Sequence, residues 1–344
     1  MSGHKRFLLP FIGIIFVLAV YSVYWIYMSQ QIQRAVTDWV ALQEADGYVI
    51  ERESLRVSGF PYRFKVAARE ARIEVPVSEG GWNADLAGIS ATALPYDLSH
   101  WIVEFAGPVR LDGFTAPDSE IELRADDARI SLVYNRYGET ERIGADLAAF
   151  EVVTLGGTPP AIRSIDRLLF NSVVQEDNRL HLRASVTGVA IAEGALDTRL
   201  LSAFGNTAET ARLDLVVTQW VSLARGADAL AWSAAGGEME IVEAELQWGP
   251  AHVNGTGEIT LDRLARPDGR LSLRIIDPDA LADALVEGGL IPRENEQALR
   301  MAAMMAPRGP EGISLPFRIH ESNLYLGPVR LGRINARLPT DPTD

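Results

Sequence analysis

The sequence predicts a mainly β fold (a β-rich α+β chain). An N-terminal transmembrane helix leads into a large, twisted antiparallel sheet with a few covering helices near the C-terminus. Three observations carry this reading. An uncharged apolar run stands near the N-terminus, apolar and polar residues alternate through most of the remaining chain, and the longer helical patterns gather late in the sequence. With 344 residues, 47% hydrophobic and 23% charged, the chain has material for a sizeable core, in one large domain or two ordinary ones.

Residues 1–6 are a short tail carrying Lys5 and Arg6, and residues 7–28 are the span. From Phe7 to Met28 there is no charge, and these 22 residues make about 33 Å of helix, enough for a hydrocarbon core. Pro10 is expected in the first turn, where proline costs little. The next basic residue is Arg34, so the positive-inside rule places the tail in the cytoplasm and the body outside. Tyr21, Tyr24, Trp25 and Tyr27 gather at the far end as an interfacial aromatic belt. The length of the run, with no Ala-x-Ala site near its end, disfavours a cleaved signal peptide, and a lipobox needs a cysteine the chain lacks.

Residues 29–45 prolong the helix. Ile32, Val36, Trp39 and Val40 stand at helical spacing, and Asp46-Gly47 ends the pattern. This apolar stripe has two destinations, the soluble body or the lipid headgroups.

Residues 46–344 are read as one continuous β-rich body, because no Ser/Gly-rich linker divides them. Period-two runs include residues 66–75, Ile121/Leu123/Ala125, Leu180/Leu182/Ala184/Val186, Val242/Ala244/Leu246/Trp248 and Leu271/Leu273/Ile275. Strict alternation means strands with one apolar and one solvated face. Asp277-Pro278 starts a helix that Gly288-Gly289 ends, and a second helix is expected over 293–305 with Ala298, Met301, Ala302 and Met305 on its apolar face. Shorter helical patches are expected over 197–204 and 223–230. Gly107-Pro108-Val109-Arg110-Leu111 recurs as Gly327-Pro328-Val329-Arg330-Leu331, with a looser copy at Trp248-Gly249-Pro250, each interrupting a strand pattern.

The chemistry is sparse. A net charge of −14 opposes broad nucleic-acid binding. The absence of cysteine excludes thiolate catalysis, cysteine metal sites and disulfides. His4, His100, His181, His252 and His320 are too far apart for a helix-borne metal pair. Gly255-Thr256-Gly257 starts a dinucleotide fingerprint but lies within alternating residues and lacks the third glycine. Asp126-Asp127 falls where the alternation changes phase and reads as a bulge or turn rather than a carboxylate dyad. Met301, Met304 and Met305 suit either gap-filling under a helix or a partner-facing surface. The expectation is a non-enzyme with no catalytic residue, metal ligand or cofactor.

Ser58-Gly59-Phe60-Pro61-Tyr62-Arg63-Phe64 reads as a strand, a kink, and a strand with Tyr62 and Phe64 on one face. Together with Trp82, Leu94-Pro95-Tyr96-Asp97-Leu98, and a C-terminal set ending in Ile313-Ser314-Leu315-Pro316-Phe317, it resembles the bacterial family called domain of unknown function 2125. That resemblance implies a single-pass protein of the bacterial inner membrane with its body in the periplasm. The C-terminal arrangement is also remotely similar to AsmA-like envelope proteins, some of which are thought to pass phospholipid along a β-sheet groove. The implied function is to bind or transfer lipid through an apolar groove, with candidate lining residues Phe60, Phe64, Ile73, Ile121, Leu123, Leu246, Leu273 and Met301. The alternative is a non-catalytic scaffold for envelope proteins, and an envelope-polymer hydrolase ranks below both. Expected partners are membrane lipid through residues 7–28, a phospholipid ligand or envelope proteins, and no nucleic acid.

Overall fold

The structure, a computed structural model, describes residues 3–225, 228–309, 312–326 and 329–333. Strands account for 51% of the chain and helices for 23%, and every strand pairing with an assigned register is antiparallel, as the alternation implies. The chain forms two compact units. The first runs to Arg124 and adds residues 129–138 and 154–158; the second comprises 125–128, 139–153 and the chain from Pro159 onward.

The first unit opens with one continuous helix, α1 (Gly3–Ala45), which covers both the apolar run and the stripe after it. Because α1 begins at Gly3, Pro10 falls inside it rather than in its first turn, and the missing N–H leaves the Arg6 carbonyl without its helical donor. Gly47, with φ +97°, turns the chain away at the expected place. Strands β1 (Val49–Glu51) and β2 (Ser54–Ser58) both pair with β3 (Phe64–Glu74), whose other edge pairs with β4 (Asn83–Leu94). Then come β5 (Asp97–Phe105), β6 (Val109–Asp112), β7 (Glu120–Arg124) and β8 (Asp127–Tyr134), with Gly107-Pro108 between β5 and β6 and Asp126 in the bend before β8. Of the Asp126-Asp127 pair, the first is in the bend and the second opens β8.

The segment between β2 and β3 is a tight turn with a cis Phe60–Pro61 bond. The N–H groups of Tyr62 and Arg63 both donate to the Gly59 carbonyl at 3.1 Å. Tyr62 consequently lies in the turn and is 82% exposed, so it does not share a strand face with the fully buried Phe64. Gly59 has φ +103°, and a Cβ there would stand 2.6 Å from the Arg63 carbonyl oxygen, so only glycine fits.

The second unit begins with a long meander: β9 (Thr140–Gly156), most of which it contains, β10 (Ile162–Val174), β11 (Leu180–Ile191), β12 (Thr207–Val217), β13 (Met239–Trp248), β14 (Ala251–Leu261) and β15 (Pro267–Ile275). Helix α2 (Thr198–Phe204) precedes β12 and is capped by Asp197, which accepts the Arg199 N–H at 2.9 Å. The patch expected over 223–230 is instead two helices, α3 (Trp220–Ala224) and α4 (Ala229–Ala234). Arg225 closes the first, and Asp228 starts the second by accepting the Ala231 N–H at 2.6 Å. The core gathers around Trp232, with Leu180, Val217, Ala229, Leu261 and Ala265 packed together. The Trp232 indole N–H reaches the Thr218 carbonyl at 2.7 Å, and a Cβ on Gly237 would stand 2.2 Å from its ring.

Helix α5 (Pro278–Glu287) starts at the expected Asp277 cap, which accepts the Ala280 N–H at 3.0 Å. Over 293–305 the chain makes a short 3-10 turn, then α6 (Glu296–Met305). The methionines do not fill gaps: Met301, Met304 and Met305 are all exposed. Helix α6 meets α5 through Arg300, which bonds Glu296 on its own helix and Asp283 on α5. The side chains of Ala298 and Ala302 lie outside the described residues, as does Gly327-Pro328 of the recurring motif. The unit ends with β16 (Arg308–Gly309), β17 (Gly312–His320), β18 (Asn323–Leu326) and β19 (Val329–Arg333).

Candidate functional site

The distal half of α1 lies against the sheet of the first unit, with Trp25 and Val40 buried and Trp39 half-exposed. Trp25 is its anchor. The indole stacks on Phe64 with ring centroids 5.1 Å apart, meets Phe60 edge-on at 5.5 Å, and donates to the Arg63 carbonyl at 3.3 Å. Such aromatic pairs contribute about 0.5–1.5 kcal/mol each beyond the area they bury. One turn earlier, the Tyr21 hydroxyl donates to the Pro61 carbonyl, and Tyr24 donates to the Pro95 carbonyl at 2.9 Å.

Beyond this anchor the helix and sheet separate enough to leave a cavity of about 580 Å³. Ile32, Ala35, Val36, Trp39 and Val40 form its helix wall. Val66, Ala68, Ala71 and Ile73 of β3, Ile89 and Ala91 of β4, Trp101 and Val103 of β5, and Leu132 and Tyr134 of β8 form its sheet wall. Two features of the sequence create the space. Alanines stand where larger residues would meet the helix, and the alternation of β3 slips at Glu70, whose φ is +47°. That slip turns Val66 and Ala68, then Ala71 and Ile73, toward the cavity.

A polar cleft lined by Gln33, Thr37, Glu51, Glu53 and Ser54 adjoins the cavity and shares Ile50, Arg52 and Leu55 with it. Arg52 sits in the kink between β1 and β2, and its guanidinium forms no ion pair among the described residues. An apolar hollow with a cation at its rim can hold a hydrocarbon chain ending in an anionic group.

Of the eight groove residues expected from sequence, Ile73 lines this cavity. Phe64 is fully buried under Trp25, and Phe60 is a half-exposed turn residue beside Trp25 and Tyr21. Ile121 and Leu123 belong to β7 of the same unit, paired with Leu111 and Val109, and do not line the cavity. Leu246, Leu273 and Met301 belong to the second unit. The apolar stripe Ile32–Val40 was legible as a helix face, though not as part of a site. The alanine positions and Arg52 were missed, because which strand residues face the helix is set by the tertiary fold.

Elsewhere in the first unit, Glu122 is buried between Arg110 at 2.9 Å and Arg124 at 2.6 Å. The hydrogen bonds from these two guanidiniums hold its carboxyl below the usual range. In the second unit, hydrogen bonding by Arg199 holds Asp197 at about 2.

No curated protein and no solved structure matches the chain. Residues 25–335 match the family described as "Uncharacterized protein conserved in bacteria", domain of unknown function 2125, and the chain belongs to that family.

Proposed function

We propose that this is a lipid-binding protein of the bacterial inner membrane, anchored by α1 with its N-terminus in the cytoplasm and its body in the periplasm. It is a binding protein rather than a catalyst. The α1 segment that meets the length and composition of a membrane span supports the anchor, and Lys5 and Arg6 before it support the orientation. The observation that carries the ligand class is the apolar cavity between α1 and the sheet. Its volume of about 580 Å³ falls within the usual range for ligand sites, about 300–1,000 Å³. The cavity adjoins the helix that enters the bilayer, so a phospholipid acyl chain is the occupant, with Arg52 meeting the headgroup phosphate.

Native mass spectrometry of the full-length chain released from mild detergent tests this. The chain should retain phospholipid stoichiometrically, Ala68→Phe should lose it by filling the cavity, and Arg52→Ala should weaken its retention. A lipid-free chain that carries a stoichiometric protein partner contradicts the lipid reading and favours a scaffold.

A further inference from the structure

The outward face of α1 changes character along its length. Val17, Val20, Val23, Ile26 and Tyr27 are exposed and apolar or aromatic, whereas Gln30, Gln33, Arg34, Thr37 and Asp38 are exposed and polar, with Trp39 and Leu42 the large apolar residues exposed farther along. The change falls between Tyr27 and Gln30. Length gives the same boundary. From Phe7 to Val20 the helix measures only about 21 Å, and a hydrocarbon core of about 30 Å needs some 20 residues, reaching Ile26 or Tyr27.

Tyr21, Tyr24 and Trp25 lie on the membrane side of that boundary, yet all three are held by the body. Tyr21 bonds the Pro61 carbonyl, Tyr24 bonds the Pro95 carbonyl, and Trp25 packs on Phe60 and Phe64. The β2–β3 turn and the β4–β5 turn therefore reach the same depth as the outer end of the span. Both turns expose large apolar and aromatic side chains that a water-facing turn has no reason to carry: Phe60 at 52%, Tyr62 at 82%, Leu94 at 42% and Tyr96 at 85%. The exposed Arg63 adds a cation beside them, while the nearby Asp97 carboxylate is occupied by the Ser99 hydroxyl at 2.6 Å.

We infer that these two turns form a second membrane contact, a collar whose Phe60, Tyr62, Leu94 and Tyr96 insert into the outer interface of the bilayer that α1 crosses. The collar fixes the first unit upright on the membrane, because three attachment points define a plane where one helix defines only an axis. It also rests on the anchor reading, so the test must separate the two.

The chain has no cysteine, so single-cysteine variants need no background removal. Full-length Val17→Cys, Tyr62→Cys, Tyr96→Cys and Val77→Cys, each carrying an environment-sensitive fluorophore, are placed in vesicles of mixed zwitterionic and anionic phospholipid. Val77 is 90% exposed beyond the opposite end of β3 and serves as the aqueous control. Lipids spin-labelled near the headgroup should quench labels at 62 and 96 several-fold more than iodide does, with 77 behaving oppositely. Lipid quenching at 17 with iodide quenching at 62 and 96 overturns the collar and leaves the anchor standing. Iodide quenching at 17 as well overturns both. Tyr62→Ser and Tyr96→Ser together, at sites too exposed to disturb folding, should loosen the body from the surface and raise iodide access to a label at Phe60→Cys.

Discussion

The two units start from the same sequence device, strands with one apolar face, and finish it differently. In the second unit the chain supplies its own filling. Helices α3 and α4 bring Trp232 onto the sheet, Gly237 yields the space beside the indole, and the core closes. In the first unit the sheet face is covered by α1, the helix that is also long and apolar enough to cross a membrane. Opposite it stand alanines at 68, 71 and 91, with Ala35 on the helix itself, and a cavity remains. An amphipathic sheet thus does not by itself mean a core or a groove. The size of the residues on the covering helix and opposite it decides between them.

The largest expected effect breaks the closed side of this comparison. Trp232→Ala should cost about 3–5 kcal/mol in denaturant unfolding, since it removes a buried indole and strands the Thr218 carbonyl. Paired substitutions of one kind sharpen the contrast. Ala229→Phe in the second unit's core should cost about 1–3 kcal/mol through overpacking, whereas Ala68→Phe at the cavity should cost less than about 1 kcal/mol and act on lipid retention instead. A cost at Ala68 equal to that at Ala229 would mean the cavity is not open space. Gly59→Val should destabilise the first unit by about 1–3 kcal/mol, because its left-handed backbone and the Arg63 carbonyl leave no room for a branched side chain; an unchanged thermal midpoint would refute that.

The smallest effect concerns pH. Asp197, held at about 2 by Arg199, binds its proton less readily folded than unfolded, where its value is near 3.8. Its stabilisation is therefore full above about pH 4 and is lost as pH falls through about 2. Wild type should exceed Asp197→Asn in stability at pH 5, and the two should converge by pH 2, as followed by urea unfolding across that range.

Much of the architecture was legible. The alternation marked the strands, Asp277-Pro278 marked a helix start, and the Ile32–Val40 stripe marked a helix face with an apolar neighbour. What was hidden depended on tertiary distance. Nothing local says that Ala68 and Ala91 face a helix dozens of residues earlier, or that the slip at Glu70 keeps Ile73 inward. Size matters there more than hydrophobicity, so a search for large apolar residues selected Phe64, which fills space, over the alanines, which leave it. Tyr62 was misplaced for a related reason: the turn that closes on the Gly59 carbonyl cannot be read from alternation.

The proposed position of a lipid chain, between α1 and the sheet of the first unit, can be mapped directly. The most direct measurement is photo-crosslinking of the full-length chain in vesicles whose phospholipid carries a diazirine within the acyl chain, followed by peptide mapping. A bound chain should leave adducts on Val36, Val66, Ile89 or Val103, cavity residues beyond the outer end of the span, and Ala68→Phe should abolish them. Adducts confined to the span and the two membrane-level turns, with none on the cavity wall, would contradict that position.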